Sequence, residues 1–140
     1  MEHEGGCHCG TIRLRLRLTR PPGENATRSC SCSFCRAHAT RTVSDPAGLV
    51  EIQVSDPAGV TQYRFGTGTA DFLLCKTCGV YAGALCDTPE GPRMVTNVNV
   101  LDDRDAFPPA SSRPNHDTET TAARIARRAA NWTPATVRGL

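Results

Sequence analysis

Gly6-Cys7-His8-Cys9-Gly10-Thr11-Ile12-Arg13-Leu14-Arg15-Leu16-Arg17-Leu18 runs a pair of potential metal ligands straight into a strand. Ile12, Leu14, Leu16 and Leu18 alternate with Arg13, Arg15 and Arg17. A period of two sends one set to a core and the other to solvent, so the stretch predicts a half-buried β-strand. The arginines read as the wet outer face of that strand, their stems lying over apolar surface, rather than as a nucleic-acid stripe. Outward from it, strands are expected over Val50 to Val54, Val60 to Phe65, Phe72 to Leu74, Val80 to Leu85 and Met94 to Val100. Turn signals such as Asp56-Pro57-Ala58-Gly59 and Pro89-Glu90-Gly91-Pro92 separate them. Short strands at this spacing predict a mainly β chain.

One helix is expected, over Thr120 to Asn131. Its alanines favour helix, and Asp117 and Glu119 precede it while Arg124, Arg127 and Arg128 fall toward its end, an order that complements the helix dipole. Ile125 and Trp132 are the residues expected to anchor it. At 140 residues the chain reads as a single domain, 1–140, with a C-terminal helical extension over about 115–132.

The composition points to a lean core. Only 5% of residues are aromatic, against 12 Gly and 10 Pro, so a bound metal would add folding energy that apolar burial supplies sparingly. The formal charge of +2 selects no class of partner. Of the 16 Lys and Arg residues only Lys76 is lysine, which fits a GC-rich coding bias. No stretch is long and apolar enough to span a bilayer. The start, Met1-Glu2-His3-Glu4, lacks the basic and then apolar pattern of a signal peptide. The expectation is a cytoplasmic protein whose thiols stay reduced and serve metal binding or catalysis rather than disulfides.

Seven of the eight cysteines fall into three clusters: Cys7-x-Cys9, Cys30-x-Cys32-x-x-Cys35 and Cys75-x-x-Cys78. Seven sulfurs cannot fill two tetrahedral four-sulfur zinc sites. The economical partition puts Cys7, Cys9, Cys75 and Cys78 around one zinc. Cys30, Cys32 and Cys35 then take a second and leave a position open. Spacing alone leaves another reading available, in which both sites are closed and His38, His8 or Cys86 completes the second.

Gly6-Cys7-His8-Cys9-Gly10, Cys30-Ser31-Cys32-Ser33-Phe34-Cys35-Arg36 and Cys75-Lys76-Thr77-Cys78-Gly79 resemble the glutathione-dependent formaldehyde-activating enzyme family, also called the centromere protein V-type domain family. Leu101-Asp102-Asp103 with Phe107-Pro108-Pro109 is similar to a later segment of that family. The resemblance implies a β-tent of small antiparallel sheets stabilised by two zinc ions. It implies that Cys7, Cys9, Cys75 and Cys78 hold a structural zinc and that Cys30, Cys32 and Cys35 are the ligands of a catalytic one. It also implies a carbon–sulfur lyase that forms or cleaves the adduct of a low-molecular-weight thiol, such as glutathione, with a small aldehyde such as formaldehyde. Two segments depart from the family pattern: Ala37 to Arg41, and the C-terminal segment with His116, a helix and Trp132.

Arg36, next to the last ligand, is expected to offset the thiolate charge or to meet a substrate carboxylate. His38 is expected beside the site, with proton transfer as its alternative role. His8 points to solvent, Cys86 serves as a small buried apolar residue, and Asp102 and Asp103 cap a turn. Nothing near His116 specifies a role. Two other functions compete with the lyase. One is a non-catalytic zinc-stabilised binding module. The other is a redox enzyme resembling methionine sulfoxide reductases, for which only Cys86 remains as the reactive thiol. No membrane or nucleic-acid partner is expected.

Overall fold

The Leu/Arg alternation forms strand β2 (Ile12–Arg17), with Ile12, Leu14 and Leu16 buried and Arg13, Arg15 and Arg17 exposed. The computed structural model describes residues 1–140. The other strands are β1 (Glu2–Gly6), β3 (Thr42–Val43), β4 (Leu49–Val54), β5 (Val60–Tyr63), β6 (Asp71–Cys75), β7 (Tyr81–Thr88), β8 (Gly91–Asn97) and β9 (Thr133–Arg138). The helices are α1 (Ser33–Ala37) and α2 (Thr121–Asn131). The architecture is mainly β with a C-terminal helix, as expected. No helix is long and apolar enough to cross a membrane.

The strands run in the order β1-β2-β4-β9-β8-β7-β6-β5, with β3 also on β8. Neighbours are antiparallel except β4 and β9, which pair in parallel. Two half-sheets therefore meet at β9, and β9 joins β8 through only Arg93↔Pro134 and Met94↔Thr133. The inner faces share one core of 18 buried residues, including Ile12, Leu16, Val50, Ile52, Leu73 and Met94. A second, smaller cluster of Ala70, Ala84, Cys86, Val95 and Trp132 lies on the β7–β8 side, where α2 packs.

The helix starts where its capping residue says it should. Thr120 Oγ1 accepts from the Ala123 N–H at 3.1 Å, satisfying one of the free donors of the first turn. Trp132, buried, then anchors the far end, whereas Ile125 is only half-buried. The buried residue of the helix itself is Arg128.

Three strands, β1, β3 and β9, lie outside the sequence expectation. In β1 the inward positions are His3 and Gly5, so the burial alternation is carried by residues with no apolar signature. His3 is stabilised by contacts remote in sequence: its Nδ1 lies 2.7 Å from Asp103 Oδ2 and its ring stands edge-on to Phe107 at 5.1 Å. Asp103 thus binds His3 and caps no turn, since it precedes the 3-10 turn Arg104–Ala106 without a side-chain cap bond. The expected strand Met94 to Val100 ends at Asn97, where the Asn97 side chain accepts from the Asn99 N–H at 3.2 Å and the chain turns.

Gly5 bridges to Leu101, and a β-carbon there would lie 2.2 Å from the Val100 carbonyl oxygen. That clash is with backbone and cannot be relieved by a rotamer change. Gly5→Ala is expected to destabilise the fold by about 1–3 kcal/mol, the usual range for overpacking. It should lower the melting temperature by several degrees in a calorimetric scan, with the metal content unchanged.

Candidate metal centres and the adjoining cavity

The first cluster is assembled by two turns. Cys7 and Cys9 sit between β1 and β2, while Cys75 ends β6 and Cys78 lies in the turn before β7. Their four sulfurs lie within 4.8 Å of one another, with Cys9 to Cys75 at 3.4 Å and Cys7 to Cys9 at 3.8 Å. A tetrahedron of zinc–sulfur bonds of about 2.3 Å has an edge of about 3.8 Å, so the donor set fits zinc. Backbone N–H groups point at the sulfurs: Ile12 N–H to Cys7 Sγ at 3.2 Å and Cys78 N–H to Cys75 Sγ at 3.5 Å. The Thr11 hydroxyl and N–H bring the Cys9 thiol down to about 6, while burial pushes Cys7 up to about 11. Four crowded sulfurs of this kind cannot all ionise unaided, and a divalent cation that displaces their protons resolves the conflict. All eight cysteines are free of disulfides.

The second cluster is built on α1. Cys32 is its N-cap, and the Cys35 N–H donates to Cys32 Sγ at 3.4 Å, repeating the Cys78-to-Cys75 contact. Cys30 lies on the preceding loop, which is tied down on both sides. Ser31 donates to the Pro114 carbonyl from its N–H at 3.1 Å and its hydroxyl at 3.0 Å, and the Ser29 N–H reaches the Ser112 carbonyl at 3.0 Å. The three sulfurs of Cys30, Cys32 and Cys35 lie within 4.8 Å of one another, and no fourth ligand joins them. Hydrogen bonding from Cys35 brings the Cys30 thiol down to about 5, and the same contact with burial pushes Cys35 up. This set also fits a thiophilic metal, with three protein ligands.

None of the alternative fourth ligands is recruited. His8 is exposed in the other cluster's turn. His38 Nδ1 is engaged by the Phe34 carbonyl at 2.9 Å, and its ring lies on Phe34 at 4.2 Å. Cys86 is buried, as expected, but next to a charge: Arg128 Nη1 is 3.8 Å from its sulfur.

A cavity of about 480 Å³ opens over the three-sulfur cluster. Its lining has an aromatic part, Phe65, Phe72, Tyr81 and Trp132, and a cationic part, Arg28, Arg36, Arg124, Arg127 and Arg128, which meet where the Arg128 guanidinium lies over the Trp132 ring. The aromatic side is braced by Phe34, whose ring meets those of Phe72 at 4.8 Å and Tyr81 at 4.9 Å. Burial, with the negative field of the thiols, raises the Tyr81 phenol well above its usual value and keeps it protonated. His116 also lines the cavity, and burial together with the Arg127 charge keeps its imidazole neutral near pH 7. A second cavity of about 470 Å³ lies on the outer face of β2 and β4, beside Glu4, Arg13, Arg15 and Glu51, and contains no thiol. The four-sulfur cluster lines neither.

Arg36, next to the last ligand, lines the cavity and is exposed. Tyr81, His116 and the other four arginines line it too, without a site role expected from the sequence. A signal existed for part of that set: residues 124, 127 and 128 are spaced i, i+3 and i+4, which puts all three on one helix face.

The family model for glutathione-dependent formaldehyde-activating enzyme matches residues 2–115. A crystal structure of a protein from Rhodobacter sphaeroides is similar, with a TM-score of 0.52 and 29% sequence identity, over 73% of this chain and 88% of that one. All seven clustered cysteines, Arg28, Arg36 and Tyr81 fall within the family match. His116, α2 and Trp132 lie beyond it.

Proposed function

The chain belongs to the glutathione-dependent formaldehyde-activating enzyme family, and on that premise we propose that it is a zinc-dependent carbon–sulfur lyase of the cytoplasm. It forms or cleaves the adduct of a low-molecular-weight thiol, such as glutathione, with a small aldehyde such as formaldehyde. The observation that carries this reading is the contrast between the two clusters. Three sulfurs open on a cavity, and four are tied into the turns away from it. In this reading Cys7, Cys9, Cys75 and Cys78 hold a structural zinc, and Cys30, Cys32 and Cys35 hold the catalytic one, two per chain. A zinc ion at the open cluster supplies positive charge that favours the ionised form of an incoming thiol at neutral pH.

The side chains around it have complementary tasks. His116, neutral near pH 7, accepts the thiol proton as the substrate settles in the cavity. The thiolate sulfur attacks the aldehyde carbon, so that the new C–S bond forms as the carbonyl π pair moves onto oxygen. Tyr81, held protonated, donates a hydrogen bond to that oxygen as its charge develops. The proton returned to the oxygen completes an S-hydroxymethyl adduct, and the reverse sequence cleaves it. Holding both reactants in one cavity removes part of the entropic barrier. Arg36, at the mouth, offsets the negative charge of the thiolate set.

Cobalt(II) substitution tests the assignment, because cobalt–thiolate charge-transfer bands report a sulfur entering the coordination sphere. Glutathione is expected to change the visible spectrum of the dicobalt protein and to leave that of a Cys35→Ser protein unchanged. A dicobalt spectrum indifferent to glutathione and to small neutral thiols would defeat the proposal and favour a binding module with two closed sites.

A further inference from the structure

Five guanidinium groups border the cavity, and one carboxylate answers them at ion-pair distance. Glu119 takes Arg127 with Nε–Oε2 at 2.9 Å and Arg124 with Nε–Oε1 at 3.5 Å. Arg28, Arg36 and Arg128 pair with no carboxylate. Asp117, the other acid at the rim, is exposed and pairs with none of them.

Arg128 is the most telling of these residues. It is 7% exposed and touches no carboxylate: Thr69 Oγ1 accepts from Nη1 at 2.8 Å, Cys86 Sγ lies at 3.8 Å, and the Trp132 ring lies beneath the guanidinium at 4.8 Å. Its Nε–H has no partner. Arg28 is half-buried, with the Ser44 hydroxyl at 2.9 Å as its side-chain partner; Arg127 is close enough to repel it, and the Cys30 thiol is the one negative group that offsets part of this. Burial pulls both guanidinium groups below the ordinary arginine value. A desolvated cation without a carboxylate partner weakens a fold, and clustering such cations around one cavity compounds the cost. An anion arriving in the cavity would relieve it, and the guanidinium fork matches a carboxylate in two-point geometry.

We infer that α2 and Arg28 form a carboxylate-binding wall, which selects a thiol substrate carrying carboxylate groups over neutral or cationic thiols. The inference rests on the thiol reading of the cavity and adds to it the part of the substrate remote from sulfur. The three-sulfur cluster holds one end of the molecule; Arg28, Arg128 and their neighbours hold the other. Arg124, Arg127 and Arg128 lie beyond the family match and Arg28 within it, so the wall joins a residue of the matched region to three of the chain's C-terminal helix. Glu119 is a positioning residue, splaying Arg124 and Arg127 along the wall.

The test uses S-methylglutathione, whose capped sulfur cannot ionise, and its diethyl ester, which keeps the shape and loses both carboxylates. Trp132 is the single tryptophan and lines the cavity, so its fluorescence reports occupancy. The acid is expected to bind saturably and the diester roughly ten- to a hundredfold more weakly, the range for losing charge-assisted hydrogen bonds. Measured by calorimetry, Arg28→Met and Arg128→Met should each weaken the acid by about tenfold or more. Arg128→Met should at the same time melt at an equal or higher temperature, because it removes an uncompensated buried charge. A diester that binds as tightly as the acid overturns the inference, as does failure of the acid to bind. So does an Arg128→Met protein that melts lower while its affinity stands. The titration involves no free thiol, so thiols that leave the cobalt spectrum unchanged would remove the thiol chemistry without deciding the wall.

Discussion

A Cys75→Ser variant is expected to have no cooperative thermal transition at all. Cys75 is 2% exposed, ends β6 within the main core and lies 3.4 Å from Cys9 across the cluster. Serine in its place leaves three sulfurs and a buried hydroxyl that binds zinc far less well. Structural zinc contributes about 10–16 kcal/mol in small zinc-dependent peptides. Whole domains are stable by only about 5–15 kcal/mol. The position of the cluster adds to the effect. The two half-sheets share few backbone contacts at the β8–β9 junction, and the metal ligands tie the β1–β2 turn to the β6–β7 turn from the other side. Circular dichroism against temperature is the measurement. A strong chelator under reducing conditions should reproduce the mutant's behaviour in the wild type. A Cys75→Ser protein that melts cooperatively within a few degrees of wild type would show that the four-sulfur set is dispensable.

Cys35→Ser is expected to do the opposite, leaving the fold and removing the chemistry. The loop around the three-sulfur cluster is held by backbone bonds that do not involve the sulfurs: Thr40 N–H to Cys35 carbonyl at 3.1 Å, and Ser29 and Ser31 N–H to the carbonyls of Ser112 and Pro114. Serine preserves the volume of a side chain only 6% exposed, so the cavity keeps its shape. Removing an outer-shell partner of a metal ligand already costs roughly 10–100-fold in affinity or activity, and loss of a ligand itself should exceed that. The expected result is a fall of more than about a hundredfold in thiol–aldehyde adduct exchange, followed by exchange NMR with labelled formaldehyde. Metal analysis should show one zinc per chain, and the melting temperature should move little. If Cys35→Ser unfolds as Cys75→Ser does, the open cluster is structural and the proposed chemistry has no site.

The parts of this molecule that were legible in its sequence are those where one local signal dominates. The Leu/Arg alternation of β2 leaves no other register for its core face, and the cysteine spacings divide into four and three before any coordinates are needed. Helix α2 is legible to within a residue because alanines fill it and its charges follow the helix dipole; Thr120, the first residue of the expected helix, is its cap. The illegible parts depend on partners far along the chain. His3 is buried because Asp103 and Phe107 receive it, and no window around Met1 to Gly6 contains that fact. β9 reads Thr-Pro-Ala-Thr-Val-Arg and becomes a strand because β4 offers it a parallel edge. The arginines of α2 read as complements to the helix dipole. Their spacing also places them on one face, but what that face meets is set by the β7–β8 side of the molecule.

The position of β9 has a consequence for how this protein is made. Its last strand, Thr133–Arg138, is not at a margin but in the middle of the sheet, between β4 and β8. Until the ribosome has released those residues, β4 and part of β8 present unpaired edges, the kind of surface on which other chains add. Closure therefore follows the emergence of β1 to β8 and of the helix that lines the cavity. A nascent or clipped chain lacking β9 carries every clustered cysteine and both open edges at once, which makes it the species most exposed to aggregation.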